Sequence, residues 1–283
     1  MIKNFDLTGW TCFSDRRNSK SYKSQDGKWM VKFGTEFAEA TMESLEKEME
    51  VTKKALAIGV KTPKVDDIVE LPDGKLGLIY EYIEGKKSIA RACGEDIDNI
   101  DYYMKRFAHI ARDLHSKVCD TDKFDSIVER TREQISSRDI LNPSQKERAY
   151  KLLDGMEKKN NCVHGDFQTG NFIIAGDNEF AIDLSGIAYG NPDHDIACFY
   201  YFCYYFPSYV TDRIFHCEPK YLPIMWECFI KHYFDTNDEK VVKELTDKYA
   251  KLALVCFFAQ LKYVDPGTEI QDAMDAYFDK VIK

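Results

Sequence analysis

The chain has 283 residues, 44% of them hydrophobic, enough to bury a sizeable core and long enough for two lobes. Its formal net charge of −9 argues against a general affinity for nucleic acid or for an anionic membrane. Nine cysteines form no C-x-x-C pair, so neither a zinc site nor a disulfide scaffold is expected, and the expected compartment is a reduced cytoplasm. The first residues lack an apolar signal core, and no stretch approaches the apolar length of a membrane span.

In chain order, about ninety residues read as β-rich with one helix. Ser21 to Ser24 and Trp29 to Phe33 flank Gln25-Asp26-Gly27-Lys28, whose Asp-Gly is a hairpin signal. A helical pattern runs from Glu43 to Ile58 and is stopped by Gly59 and Pro63. Ile68 to Leu71 and Leu76 to Ile83 form a second hairpin around Pro72-Asp73-Gly74. The boundary then falls near Tyr82 to Lys87, dividing a lobe of residues 1–83 from one of residues 84–283. From Asn99 the chain turns helical. Met104, Phe107, Ala108, Ala111 and Leu114 make an apolar stripe between Asp101 and Lys117. Asn142-Pro143-Ser144 followed by Glu147 predicts another helix start, with an early proline and a capping box. Phe172 to Ile174 and Phe180 to Ile182 read as two strands around Gly176-Asp177-Asn178, and the rest is mostly helical.

The chemistry gathers around that third hairpin. Phosphoryl transfer needs a base to orient the attacking hydroxyl and oxygen ligands to hold magnesium on the phosphates. His164-Gly165-Asp166 is followed five residues later by Asn171, the spacing of a kinase catalytic loop. Asp183 leaves the hairpin that Asn171 enters. Asp166 is thus the candidate base, and Asn171 and Asp183 the candidate metal ligands. The bland alternative is a polar turn between strands, with Asp183 as a cap. Upstream, Lys32 lies between apolar neighbours in Val31-Lys32-Phe33. It reads as a phosphate-binding lysine oriented by a helical glutamate, or as an outward-facing lysine on an alternating strand. Glu48 is the preferred partner, with Glu50, Glu46 and Glu43 as competitors.

These segments resemble the aminoglycoside phosphotransferase and choline kinase family, small-molecule kinases with a protein-kinase-like fold. Val163-His164-Gly165-Asp166 with Asn171 is similar to the family's catalytic loop, and Ile182-Asp183 to its metal-binding strand end. Gly190 to Ala197 is similar to its G-x-P-x-x-D-L-A segment, Val31-Lys32-Phe33 to its nucleotide-lysine strand, and Gly59 to Pro63 to its G-x-x-x-P. Leu114-His115 resembles the end of a central helix, and the likeness runs from about residue 10 to 206. The resemblance implies an α+β fold, with a small N-terminal antiparallel sheet plus one helix and a larger, mainly helical C-terminal lobe. It implies ATP, with GTP as an alternative, and Mg²⁺ as cofactors. It makes His164 a brace of the catalytic loop and Asp195 a support behind it. Tyr80 to Ile83 becomes a hinge, so that Glu81, Tyr82 and Ile83 meet the base through their backbone.

One departure concerns the loop Arg17-Asn18-Ser19-Lys20-Ser21, which has no glycine to let backbone amides approach phosphates. The hydroxyls of Ser19 and Ser21, or Lys20, are the expected substitutes. Another is that Leu184-Ser185-Gly186, not an aromatic, follows Asp183. Phe199 to Phe206 is a dense aromatic run, read first as a core helix and second as a cation–π site for an amine. The expected function is ATP- and Mg-dependent phosphorylation of a hydroxyl on a small, amine-bearing molecule. No nucleic-acid or membrane partner is expected. The alternatives are a nucleotide-binding pseudokinase and a kinase acting on polypeptide, the latter without a D-F-G or A-P-E segment.

Overall fold

The computed structural model describes residues 3–15, 19–205, 214–261 and 269–282. Arg17 and Asn18 of the glycine-free loop, and Phe206 at the end of the aromatic run, lie outside the described residues. The chain divides into two compact units, Met1–Lys87 with Ile173–Ser185, and Ser88–Phe172 with Gly186–Lys283. The first unit therefore runs past Ile83 to Lys87 and also takes in the hairpin after Asn171. A backbone bond ties that hairpin in, from Ala181 N–H to the Lys61 carbonyl at 2.8 Å.

In the first unit the elements are β1 (Lys3–Asn4), β2 (Thr11–Asp15), β3 (Ser19–Lys23), β4 (Trp29–Gly34), α1 (Met42–Ala57), β5 (Val65–Glu70) and β6 (Leu76–Glu81). The sheet order is β1-β5-β6-β4-β3-β2, antiparallel except for the two-residue β1, which runs parallel to β5. Side chains alternate across a strand. Val31 and Phe33 accordingly pack with Val69 and Ile79 on one face, while Leu78 and Ile68 meet Leu45 of α1 on the other. Lys32 stands opposite Leu78 and Ser21, which puts it on the α1 face. Helix α1 starts at a reciprocal Thr41–Ser44 capping box and stops at Gly59, whose φ of 87° only glycine adopts readily.

After β7 (Lys87–Ser88) come α2 (Ile89–Glu95), α3 (Ile100–Ser116), α4 (Ile127–Ser136), α5 (Pro143–Asp154) and β8 (Asn161–Val163). The hairpin β9 (Phe172–Ala175) and β10 (Asn178–Ala181) follows, then β11 (Ala188–Gly190), which pairs with β8, and α6 (Asp193–Tyr204). Further helices among the described residues are α7 (Leu222–Phe234), α8 (Glu239–Gln260) and α9 (Glu269–Val281). Asn142 does cap α5, but its reciprocal partner is Gln145, not the expected Glu147. The N3 position alone reaches back to the cap.

The core of the second unit is aromatic. Phe107 of α3 stacks on Phe167 at 4.6 Å and meets Phe172 and Phe199 edge-on at 5.2 and 5.0 Å. Such pairs each contribute about 0.5–1.5 kcal/mol beyond area burial. Phe199, Tyr200, Tyr201, Phe202 and Cys203 are buried, so the aromatic run is core there, and Tyr204 turns outward. Among the described residues no helix is long and apolar enough to cross a membrane.

Candidate active site

The second unit holds Asp166 and Asn171. Gly165 just before Asp166 has φ 78°, and a Cβ there would collide with the Gly186 carbonyl oxygen. Only glycine satisfies both the left-handed backbone and the close approach. The turn hangs on Asp195, which is fully buried at the start of α6. Its Oδ2 accepts the His164 backbone N–H at 2.6 Å, and its Oδ1 accepts that of Gly165 at 3.0 Å. His115 Nε2 reaches Oδ2 at 3.0 Å, and Tyr233 Oη lies 2.8 Å from the other ring nitrogen. Burial alone would raise the Asp195 pKa, but bonding from His115 and His194 holds it below the usual carboxylate range. Gln260 completes the turn by donating to the Gly165 carbonyl at 3.0 Å.

Beyond the turn, two phenylalanines anchor the loop. Phe167 follows Asp166 and Phe172 follows Asn171, both fully buried and 5.1 Å apart. Asn171 Nδ2 donates to the Asp166 carbonyl at 2.9 Å and to Asp166 Oδ2 at 2.8 Å. That orientation spends both amide hydrogens on Asp166. It leaves the Asn171 amide oxygen, a hard donor suited to a hard cation.

The first unit holds Lys32 and Asp183. Lys32 Nζ lies 2.6 Å from Asp183 Oδ1, with both side chains partly exposed. Asp183 has φ 56°, a left-handed conformation that costs most residues strain and that aspartate and asparagine tolerate best. Glu48, the expected partner of Lys32, accepts a short bond from the Tyr80 hydroxyl. Burial, then the Glu48 charge, pushes that phenol far above its ordinary pKa.

Ser19 and Ser21 do not sit in a loop, contrary to the expectation. Both belong to β3, with Ser19 opposite Gly34 and the buried Ser21 opposite Lys32. Strand pairing extends that far because the hairpin register set at Asp26-Gly27 carries on. Lys20 pairs with Asp15 at 2.8 Å. In the expected hinge, the Glu81 N–H donates to the Lys64 carbonyl and the Tyr82 N–H to that of Lys28, each at 2.8 Å. Both donors are therefore spent within the protein, and the next one along is Ile83. Sequence reasoning missed Tyr233, Gln260 and the bond that Tyr80, named there only as part of the hinge, makes to Glu48. The only signal for Gln260 is a polar residue ending the apolar run Ala253 to Ala259.

Residues 13–214 match the model of APH, the phosphotransferase enzyme family. The chain belongs to that family. No protein in the curated set matches its sequence. Among solved structures, this phosphotransferase is similar to a thermostable mutant of aminoglycoside phosphotransferase APH(4)-Ia, in ternary complex with ADP and hygromycin B. The TM-score there is 0.61 at 12% identity, covering 96% of this chain and 92% of that one. It is also similar to a choline/ethanolamine kinase family protein from Mesorhizobium loti, with TM-score 0.58, 13% identity and coverage of 97% and 88%. The amicoumacin kinase hAmiN, in complex with AMP-PNP, Ca²⁺ and Ami, gives 0.56 at 16% identity, covering 99% and 90%. Identities this low carry the fold alone. That fold is the protein-kinase-like one, with a small sheet lobe and a helical lobe.

Proposed function

We propose that this phosphotransferase moves the terminal phosphoryl group of ATP or GTP onto a hydroxyl of a small, amine-bearing molecule of the aminoglycoside or choline/ethanolamine type. The observation that supports this best is the Asp166–Asn171 pair on a loop pinned by Asp195. Asp166 accepts the proton of the acceptor hydroxyl as that oxygen bonds to phosphorus. The bond from phosphorus to the bridging oxygen breaks, and the nucleoside diphosphate leaves with that oxygen.

The oxygen donors Asn171 and Asp183 suit Mg²⁺, which when bound offsets the negative charge of the phosphates. Lys32 supplies a fixed cation to the phosphates, and Glu48, held by Tyr80, is the carboxylate behind it. The Ser21 hydroxyl, across the strand from Lys32, and that of Ser19 stand in for the missing glycine amides. At the hinge, the Glu81 carbonyl and the Ile83 N–H flank Tyr82 and bind the base. The amine-bearing acceptor class rests on the relatives, which are antibiotic and choline/ethanolamine kinases by name.

The test is turnover with ATP or GTP and Mg²⁺ against a panel of aminoglycosides, choline, ethanolamine and aminosugars. Asp166→Asn is expected to lower kcat by about 10³-fold or more with nucleotide affinity retained. A variant that turns over as the wild type does, or a panel on which nothing is phosphorylated, removes the proposal.

A further inference from the structure

The first unit holds an ammonium group, that of Lys86, which has no carboxylate partner among the described residues. Lys86 is half-buried, and its Nζ lies 3.2 Å from Met30 Sδ. The same nitrogen stands 5.1 Å from the centre of the Tyr82 ring and 5.6 Å from that of Phe13. Those two rings meet edge-on at 5.5 Å. Lys23 makes an instructive contrast. It sits 4.2 Å from the Tyr82 ring as well, but it has Glu84 at 2.6 Å. Among the described residues, no carboxylate lies within ion-pair reach of Lys86. Burial pushes its pKa down to about 8, against an opposing pull from the Asp183 charge. Ring faces and a thioether recover part of the lost hydration of a cation, and an acceptor would recover more.

The position of this cation relative to Lys32 gives it a use. Met30 and Lys32 are alternate residues of β4, so both side chains leave the same face, about 7 Å apart along the strand. Met30 pairs with Tyr80 and Trp29 with Glu81, where the chain leaves β6 towards Tyr82 and Ile83. With phosphates on Lys32, as the proposed function has it, the nucleotide base comes to lie beside Met30 and therefore beside Lys86.

We propose that Lys86 reads the base of the phosphoryl donor and selects guanine over adenine. A lysine ammonium offers three donors and no acceptor. Guanine presents O6 and N7 as adjacent acceptors, whereas adenine carries an amine donor at the same corner. An incoming guanine therefore offers Lys86 both O6 and N7, whereas an incoming adenine offers N7 alone, with an amine donor beside it. The Tyr82 and Phe13 rings supply apolar faces for either base.

The inference rests on the kinase reading, and one set of measurements separates the two. Titration calorimetry of the full chain with Mg²⁺ and GDP or ADP compares wild type, Lys86→Met and Lys86→Arg. Wild type is expected to bind GDP about tenfold more tightly than ADP, within the range of a good base contact. Lys86→Met should lose about that factor for GDP and less than about threefold for ADP, and Lys86→Arg should retain most of the preference. Raising the pH through about 8 should erode the wild-type preference as the ammonium loses its proton, and leave Lys86→Met unchanged.

Equal wild-type affinities, or equal losses for both nucleotides in Lys86→Met, overturn the role of Lys86 while leaving the kinase reading intact. Failure of the wild type to bind either nucleotide overturns the kinase reading itself. Methionine replaces an unpaired charge with an apolar chain of similar length, so the variant is expected to fold, and a thermal melt checks this.

Discussion

Asp183 and Asp195 lie close together in sequence and in opposite physical settings. Asp183, in the first unit, is about half exposed, held in a left-handed backbone and paired with Lys32. Asp195, in the second, is sealed from solvent and takes two backbone N–H groups and an imidazole. A carboxylate that must exchange partners during turnover has to stay reachable, and its ion pair in water is worth little. One that fixes a backbone has to be buried and fully bonded, because only there does each bond count strongly. The same side chain therefore forms an exposed ion pair in one place and, under the proposed function, has to exchange it, and acts as a rivet in the other.

The sharpest way to break this contrast is Asp183→Asn. It keeps the tolerated left-handed backbone but removes the charge, so kcat should fall by about 10³-fold or more, roughly 4 kcal/mol, with an unchanged thermal midpoint. Substantial turnover in that variant would mean that Asp183 is not the metal-side carboxylate.

Asp195→Ala should do the reverse. It strands two buried backbone donors and a histidine, and should cost about 3–5 kcal/mol of stability in denaturant titrations. The pH profile carries the same signature. Because the folded pKa of Asp195 is depressed, its contribution is complete above the unfolded carboxylate value of about 4. That contribution is lost as pH falls through the lower folded value. Asp195→Asn should lack this acid limb, and identical acid profiles for the two proteins would count against the assignment.

At the small end, Lys20→Ala removes a surface pair with Asp15 and should leave the denaturation midpoint unchanged within measurement error. A measurable loss would show that exposed pairs matter more here than the contrast allows.

How much of this was readable from sequence divides by range. The hairpin at Asp26-Gly27, the stop of α1 at Gly59 and the strands around Gly176 follow from local turn chemistry. Asp166 and Asn171 were legible because five residues of loop bring them together. The His115–Asp195 contact spans 80 residues. Only the resemblance of the flanking motifs marked both ends of it. Gln260, which meets a carbonyl 95 positions away, carries no such mark. Helix α2 escaped notice because its seven residues are too few to show a period. Ser19 and Ser21 lie on β3 because its pairing with β4 runs on to Gly34, and no local residue type marks where that register stops.

Phe167, just inside the start of the Asp166–Asn171 loop, and Phe172, just past its end, are embedded in the same aromatic cluster as Phe107 and Phe229. The loop is thereby stitched to the interior at both ends, and its backbone cannot open unless the helical core opens with it. The bonded amides of His164, Gly165 and Asn171 are therefore expected to share one protection class with the core of α3, which hydrogen exchange checks.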